Sequence, residues 1–230
     1  MEKITTSQSR RSFLKSSILA GGGLMITFSG LAKYVSDGKI NPTDLPEEWT
    51  ELTGYIKITS DNIIKILNPN PEFGQNVMTS LPMIVAEELD VDWKKVVVEM
   101  GPHDNAKLGP QFTGGSNSVR MYWKPLREAG GAARQMLRDA AAQTWSVPVE
   151  EVTTKAGMLY HEKSGKSGPY GEFASKAATN PIPKGVKLKD VKSFNVVGNS
   201  SKNVEGLKIV TGKPLFAMDR VQEGMLIAMI

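Results

Sequence analysis

Two short stretches of this 230-residue chain hold residue types that can do chemistry. The first is PEFGQNVMTS, Pro71–Ser80. Gly74 permits a tight turn or the close approach of backbone to a ligand. Gln75 and Asn76 bring paired amide donors and acceptors to the start of a helical pattern, where the first backbone N–H groups lack intrahelical partners. A plain helix start with Asn76 as its N-cap explains the same residues. The second stretch is GPQFTGGSNSVR, Gly109–Arg120. Thr113, Gly114, Gly115 and Ser116 set two glycines between two hydroxyls just ahead of a helix. Free N–H groups there suit an anion such as phosphate, and Arg120 adds charge one turn on. The stretch matches neither a Walker loop nor a G-x-G-x-x-G fingerprint, and a flexible loop is the competing reading.

Other chemistries lose ground on composition. The chain has no cysteine, which removes disulfides, thiolate catalysis, Cys-bound zinc and iron–sulfur ligation within it. His103 and His161 are far apart in sequence and read as loop or surface residues. There is no G-x-S-x-G elbow; a hydrolase would have to pair Ser116 or Ser118 with His103 across one loop.

The elements that must position the two stretches follow from hydrophobic periodicity. Tyr55–Thr59 and Ile63–Leu67 flank Ser60-Asp61-Asn62 as a hairpin. Val77, Leu81, Ile84, Val85 and Leu89 recur at helical spacing, with Pro82 inside. The run ending at Gly101 reads as a strand, and 102–118 as a loop. A long helix follows, with Pro125 in its first turn and a stripe of Leu126, Ala129, Ala133, Met136, Leu137, Ala140 and Ala141 for core packing. The segment 153–168 reads as a strand pair, YGEFASKAA as a short helix, 180–205 as a polar connector, and 206–230 as strand, turn and strand. The fold class is α+β, with short mixed sheets and flanking helices.

The N-terminus is set apart by charge. Of the 28 basic and 24 acidic residues, Lys3, Arg10, Arg11, Lys15, Lys33 and Glu2 lie in residues 1–33. Subtracting those five and one leaves 23 of each sign in the remainder. The +4 and the pI near 9.1 therefore belong to the leader. A balanced remainder gives no basic face for nucleic acid. SRRSFLK, with Arg10 and Arg11, precedes an apolar run at 16–32 and resembles a twin-arginine (Tat) export signal. The run is at the short limit for a bilayer span, so an uncleaved tether is the alternative. Export to the periplasm is the expectation, with residues 34–53 as a linker.

EFGQNVMTSLPMIVAEELDVDW, TGGSNSVRMYWKPLREAGGAAR and VTGKPLFAMDRVQEGMLIAMI, in this order, resemble the isoquinoline 1-oxidoreductase beta-subunit group. That group lies within the xanthine dehydrogenase/aldehyde oxidase family of molybdenum hydroxylases. The resemblance implies a partial molybdopterin-binding domain at 54–179, a connector at 180–205 and the start of an α/β hammerhead-like domain at 206–230. It implies a large subunit that hydroxylates N-heteroaromatic rings or aldehydes with oxygen from water, using molybdopterin in its cytosine dinucleotide form. The implied partners are a two-iron two-sulfur small subunit, the rest of the large subunit and a cytochrome c acceptor. Cofactor contacts carry over to Gly74, Gln75 and Asn76, and to Thr113, Gly114, Gly115 and Ser116. Asn76 stands where the family often has glycine. No residue matches the family's glutamate base, so the chain alone is expected to be inactive. The alternative is an exported scaffold that keeps the fold without the cofactor.

Overall fold

The computed structural model describes residues 50–226 and 228. The leader, Arg10 and Arg11 and most of the linker lie outside the described residues. The linker's last residues do not read as expected: Thr50–Thr53 is a strand, β1, paired antiparallel with β2 (Ile56–Ile58). The expected hairpin is present, with β2 returning into β3 (Ile64–Asn68). Asn62 takes φ 62° in the turn, a conformation asparagine tolerates better than most residues.

From β3 the chain enters helix α1 (Val77–Leu89) and returns as β4 (Val96–Met100), parallel to β3. The sheet order is β1-β2-β3-β4. The apolar positions read from periodicity, Val77, Leu81, Ile84, Val85 and Leu89, are all buried. A four-residue helix, α2 (Asn105–Leu108), interrupts the expected loop.

Helix α3 runs from Ser118 to Trp145, so it begins seven residues before Pro125 rather than just ahead of it. Packing overrides the local signal here. Tyr122 is buried in the second turn and donates its hydroxyl to Leu108 O at 2.9 Å. The small-residue stripe is core as expected, with Ala129 half-buried. Gly130 is where α3 crosses α1: a Cβ there would lie 2.6 Å from Val85 O.

A second, antiparallel sheet has three strands, β5 (Thr153–Lys155), β6 (Met158–His161) and β7 (Lys166–Pro169), where a pair was expected. Helix α4 (Tyr170–Ala177) follows and packs on α3. His161 is buried, against expectation. Its Nε2 lies 2.8 Å from Glu151 and its Nδ1 2.7 Å from Ser164 Oγ. His103 is exposed.

The connector is a strap tied down by two adjacent buried carboxylates at the end of α1. Glu87 Oε2 accepts the N–H groups of Asn195, Val196 and Val197. Glu88 takes Arg127 on one oxygen and the Lys189 N–H on the other. Arg127 also lies over the neighbouring rings of Trp123 and Phe194, 5.5 and 5.2 Å from their centroids. Beyond the strap, the expected strand–turn–strand is not seen among the described residues. Gly206–Val210 is a short helix, α5, and Ala217–Asp219 a single 3-10 turn. Strand-type residues need a neighbouring strand to pair with. Here Leu207, Val210 and Leu226 are left 76, 80 and 92 % exposed.

Candidate functional site

Strand β3 ends in Asn68, and its continuation carries Asn70. Asn68 has the same parity as the buried Ile64 and Ile66, so an amide sits in a core-facing position. Asn70 is also fully buried. Its Nδ2 donates to Phe112 O at 3.0 Å and to Ser118 Oγ at 2.9 Å. A second tie runs from Thr113 Oγ1 to Pro71 O at 2.8 Å. The two sequence stretches, 42 residues apart at this contact, therefore meet at one rim. The Oδ1 atoms of Asn68 and Asn70 are buried below that rim without a donor.

The two loops differ in what they leave free. In the first, the N–H groups expected to be open are taken by Glu72. Its Oε1 accepts Gly74 N at 2.7 Å and Asn76 N at 2.9 Å, and its Oε2 accepts Met78 N at 2.9 Å. The carboxylate stands where an anion would sit on the helix N-terminus. Gln75 folds back on the loop, accepting from Phe73 N at 2.8 Å and donating to Pro71 O at 2.9 Å. Asn76 occupies the N-cap position of α1, but its side chain caps no backbone group; its Oδ1 accepts from Thr79 Oγ1 at 2.6 Å. Its φ is 69°, which explains how asparagine stands where the related family often has glycine. Gly74, at φ 110°, faces open space.

The second loop spends the Thr113 hydroxyl on Pro71 O and the Asn117 N–H on Gly114 O, and keeps its other donors. Gly115 and Ser116 have φ 57° and 54°, and they turn the chain into α3. Asn117 is the N-cap and makes no side-chain cap bond. Its Oδ1 instead receives Arg120 Nη2, which holds that guanidinium over the start of the helix. Phe112 packs its ring against Gly114, where a Cβ would come within 2.5 Å of it. Tyr55 and Tyr122 pin the loop's base by donating to Leu108 O. Burial, with Tyr122 beside it, pushes the Tyr55 hydroxyl up to about 12.

The structure thus joins the loop carrying Gly74, Gln75 and Asn76 to the loop carrying Thr113, Gly114, Gly115 and Ser116 through Thr113 to Pro71 and through Asn70 to Phe112 and Ser118. Sequence reasoning missed Asn68, Asn70 and Glu72, and considered Ser118 only as a partner for His103. A signal was present: asparagine at a core-facing position of an otherwise apolar strand. Among the described residues, no group of three or more His, Asp or Glu could hold a metal ion. No helix among them is long and apolar enough to cross a membrane.

The described residues thus form an α+β domain with a parallel β3-α1-β4 unit, in which two tied loops lie beside a helix N-terminus that has no side-chain cap. Residues 6–210 match the family model for a molybdopterin cofactor-binding domain, and the chain belongs to that family. It is 31 % identical over 215 residues to isoquinoline 1-oxidoreductase subunit beta of Brevundimonas diminuta, covering 76 % of this chain and 28 % of that protein. It is 31 % identical over 229 residues to a membrane-bound aldehyde dehydrogenase [pyrroloquinoline-quinone] of Gluconacetobacter polyoxogenes, covering 96 % of this chain and 29 % of the relative. Among solved structures it is similar to quinoline 2-oxidoreductase from Pseudomonas putida 86, with a TM-score of 0.44 and 17 % identity. That match covers 57 % of this chain and 17 % of the other. The chain spans less than a third of the length of the curated relatives it matches.

Proposed function

We propose that this chain supplies the phosphate-binding end of a molybdopterin site in an oxidoreductase of the molybdenum hydroxylase type. The observation that carries the reading is the junction itself. Two loops tied by Thr113 and Asn70 flank the start of α3, with no side-chain cap and with Arg120 held over it. Free N–H groups at Ser118, Val119 and Arg120, with the hydroxyl of Ser116, suit a pyrophosphate, while the Thr113 hydroxyl is spent on Pro71 O and serves to tie the loops. The unpaired acceptors of Asn68 and Asn70 fit a ligand rich in N–H donors, as a pterin is. Gly74, with open space before it, lets a flat ring system approach the backbone.

When bound, the cofactor supplies the two-electron oxidation of a carbon centre with water as the oxygen source. This chain's own residues bind and orient it. Glu72 is held by three N–H donors and is not available as a proton acceptor, so the base comes from another part of the protein. The chain alone is then inactive. The names of the relatives support an N-heteroaromatic or aldehyde substrate. A two-iron two-sulfur subunit, the rest of the large subunit and a cytochrome c are the proposed partners, the cytosine dinucleotide the proposed cofactor form, and Tat export to the periplasm the proposed route.

The test uses the chain produced in a host that makes the cofactor. Molybdenum and the fluorescent oxidised pterin are measured before and after Ser116→Asp. That change puts a carboxylate at the start of α3, as Glu72 does at α1. A loss of cofactor of at least tenfold is expected. Equal retention by both forms, or none by either, refutes the reading. A second reading, a scaffold without cofactor, is favoured by the inward bonds of Gln75 and Glu72, and it predicts the second of those outcomes.

A further inference from the structure

A serine, a histidine and a glutamate that the cofactor reading does not use lie together at one end of the second sheet. The β5–β6 register, with Thr153 opposite Tyr160, places Glu151 beside the end of β6 where His161 stands. The β6–β7 pair sets His161 opposite Lys166, so residues 162–165 form the hairpin loop. Glu162–Ser164 is a 3-10 turn, closed by Gly165 at φ 69°. That turn brings Ser164 back onto the ring of His161, three residues earlier. Among the described residues, the serine–histidine pair that forms is this one rather than Ser116 or Ser118 with His103.

The hydrogen bonds fix which ring nitrogen carries the proton. Lys163 and the His161 ring hold the Glu151 carboxyl below its ordinary 4.5, so it is ionised near neutral pH. An ionised carboxylate only accepts, and Glu151 Oε2 lies 2.8 Å from His161 Nε2, so Nε2 bears the hydrogen. The Nδ1 lone pair is left facing Ser164 Oγ at 2.7 Å, and the hydroxyl donates to it. Burial falls away along the row: His161 is buried, Glu151 half-buried and Ser164 exposed. A Cβ at Gly165 would meet nothing within 4 Å, so the space beside Ser164 is open.

We infer that Ser164 is an activated nucleophile that forms an ester with an activated acyl donor, with His161 as its base and Glu151 positioning that base. A nucleophile within hydrogen-bond reach of a base, itself oriented by a third group, is the arrangement that makes a serine hydroxyl reactive. In the step, Oγ bonds to the acyl carbon while its proton passes to Nδ1. The bond from that carbon to the leaving oxygen breaks, and the leaving group departs with the electron pair. The imidazolium then gives its proton to solvent. The flanking cations are committed elsewhere, Lys163 Nζ to Glu151 and Lys166 Nζ to Trp145 O. Charge on the acyl oxygen is therefore borne without them, and the donor must bring a weakly basic leaving group, as an aryl ester does. The inference stands apart from the cofactor reading and uses none of its residues.

The test treats the full chain with p-nitrophenyl acetate and maps acetyl-serine by peptide mass spectrometry. Ser167, exposed on the same hairpin, is the internal standard. Ser164 should be acetylated at least tenfold faster than Ser167, a floor for the roughly 10²–10⁴-fold that a positioned base contributes. Unfolding the chain in urea should bring the two serines to the same rate, and His161→Gln should do so in the folded chain. Glu151→Gln should slow Ser164 at least tenfold and leave Ser167 unchanged, because it removes the charge that fixes the tautomer. Nitrogen NMR of the native His161 ring should show Nε2 protonated and Nδ1 bare, and Glu151→Gln should mix the tautomers. The inference is overturned if Ser164 outpaces Ser167 less than tenfold, if Nδ1 carries the proton, or if Glu151→Gln slows Ser164 less than tenfold. His161 is buried, so if His161→Gln unfolds, the native ratio, the NMR and Glu151→Gln decide the matter.

Discussion

Replacing Glu87 with glutamine tests whether one buried carboxylate holds the strap to the body. Glu87 is 1 % exposed. Oε2 accepts three consecutive N–H groups, from Asn195 at 2.9 Å, Val196 at 2.6 Å and Val197 at 3.0 Å. Oε1 accepts Lys189 Nζ at 3.0 Å. Glutamine keeps one acceptor oxygen for the N–H groups but turns an amide donor toward the Lys189 ammonium. A hydrogen bond to a charged group contributes roughly 1.5–3 kcal/mol, and removing one partner of a buried ion pair costs roughly 3–5 kcal/mol. Lys189 retains Asp90 at 2.8 Å, which moderates the loss. The expected destabilisation is therefore about 3 kcal/mol, near the low end of that range. Urea unfolding gives the global value, and exchange at the Asn195, Val196 and Val197 amides gives the local one. Those three amides should exchange far faster in the variant. A loss under about 1 kcal/mol, the net size of one ordinary hydrogen bond, with unchanged exchange at all three amides, would refute the anchor.

The same group sets an acid limit. Burial works against the Glu87 charge, but the N–H groups of Val196 and Val197 and the Lys189 ammonium outweigh it and hold the carboxyl below its ordinary 4.5. Its contribution is complete above that ordinary value and is lost as pH falls through the lower folded value. Urea midpoints between about pH 6 and pH 3 should fall for the native chain and fall less for Glu87→Gln. Gly130→Val should cost at least 1–3 kcal/mol by overpacking, because even a Cβ meets Val85 O at 2.6 Å and Glu88 Cβ at 2.9 Å; thermal unfolding checks it. Tyr170→Phe removes a buried hydroxyl that donates to Leu89 O at 2.9 Å. It should cost about 1 kcal/mol, a drop of a few degrees in Tm.

Periodicity exposed the hairpin, both long helices and the core stripe, because burial of one face leaves a repeat that composition cannot hide. It failed where structure depends on something distant. Thr50–Thr53 is polar and becomes a strand because β2 is there to pair with it. Pro125 looks like a helix start, yet α3 begins earlier because Tyr122 packs against the loop base at Leu108. The strap at 186–199 has no periodic signal. It is ordered by Glu87 and Glu88, which local sequence rules place on a solvent face. At 206–226 the apolar residues are strand-like but have no strand to join among the described residues.

The two candidate loops show most sharply what residue types leave undecided. Both precede a helix, both carry glycine and amide or hydroxyl groups, and both read as places for an anion or a polar ring edge. The difference is set by Glu72. It lies two to six residues ahead of the N–H groups it accepts, and the turn at Gly74 brings its carboxylate onto them. The second loop has no acid within the same reach: from Gly109 to Ser118 there is none in the sequence. Its N–H groups and Arg120 are left for a ligand. A phosphate is therefore expected at Gly115–Arg120, and a neutral, hydrogen-bonding ring edge at Gly74–Asn76, where a second negative charge would face Glu72. Glu72→Gln separates the two possibilities: it should leave inorganic phosphate binding at Gly115 and Ser116 unchanged. A gain of phosphate binding at Gly74 and Asn76 would confirm that the carboxylate excludes an anion there, and a loss at Gly115 would overturn the division of roles.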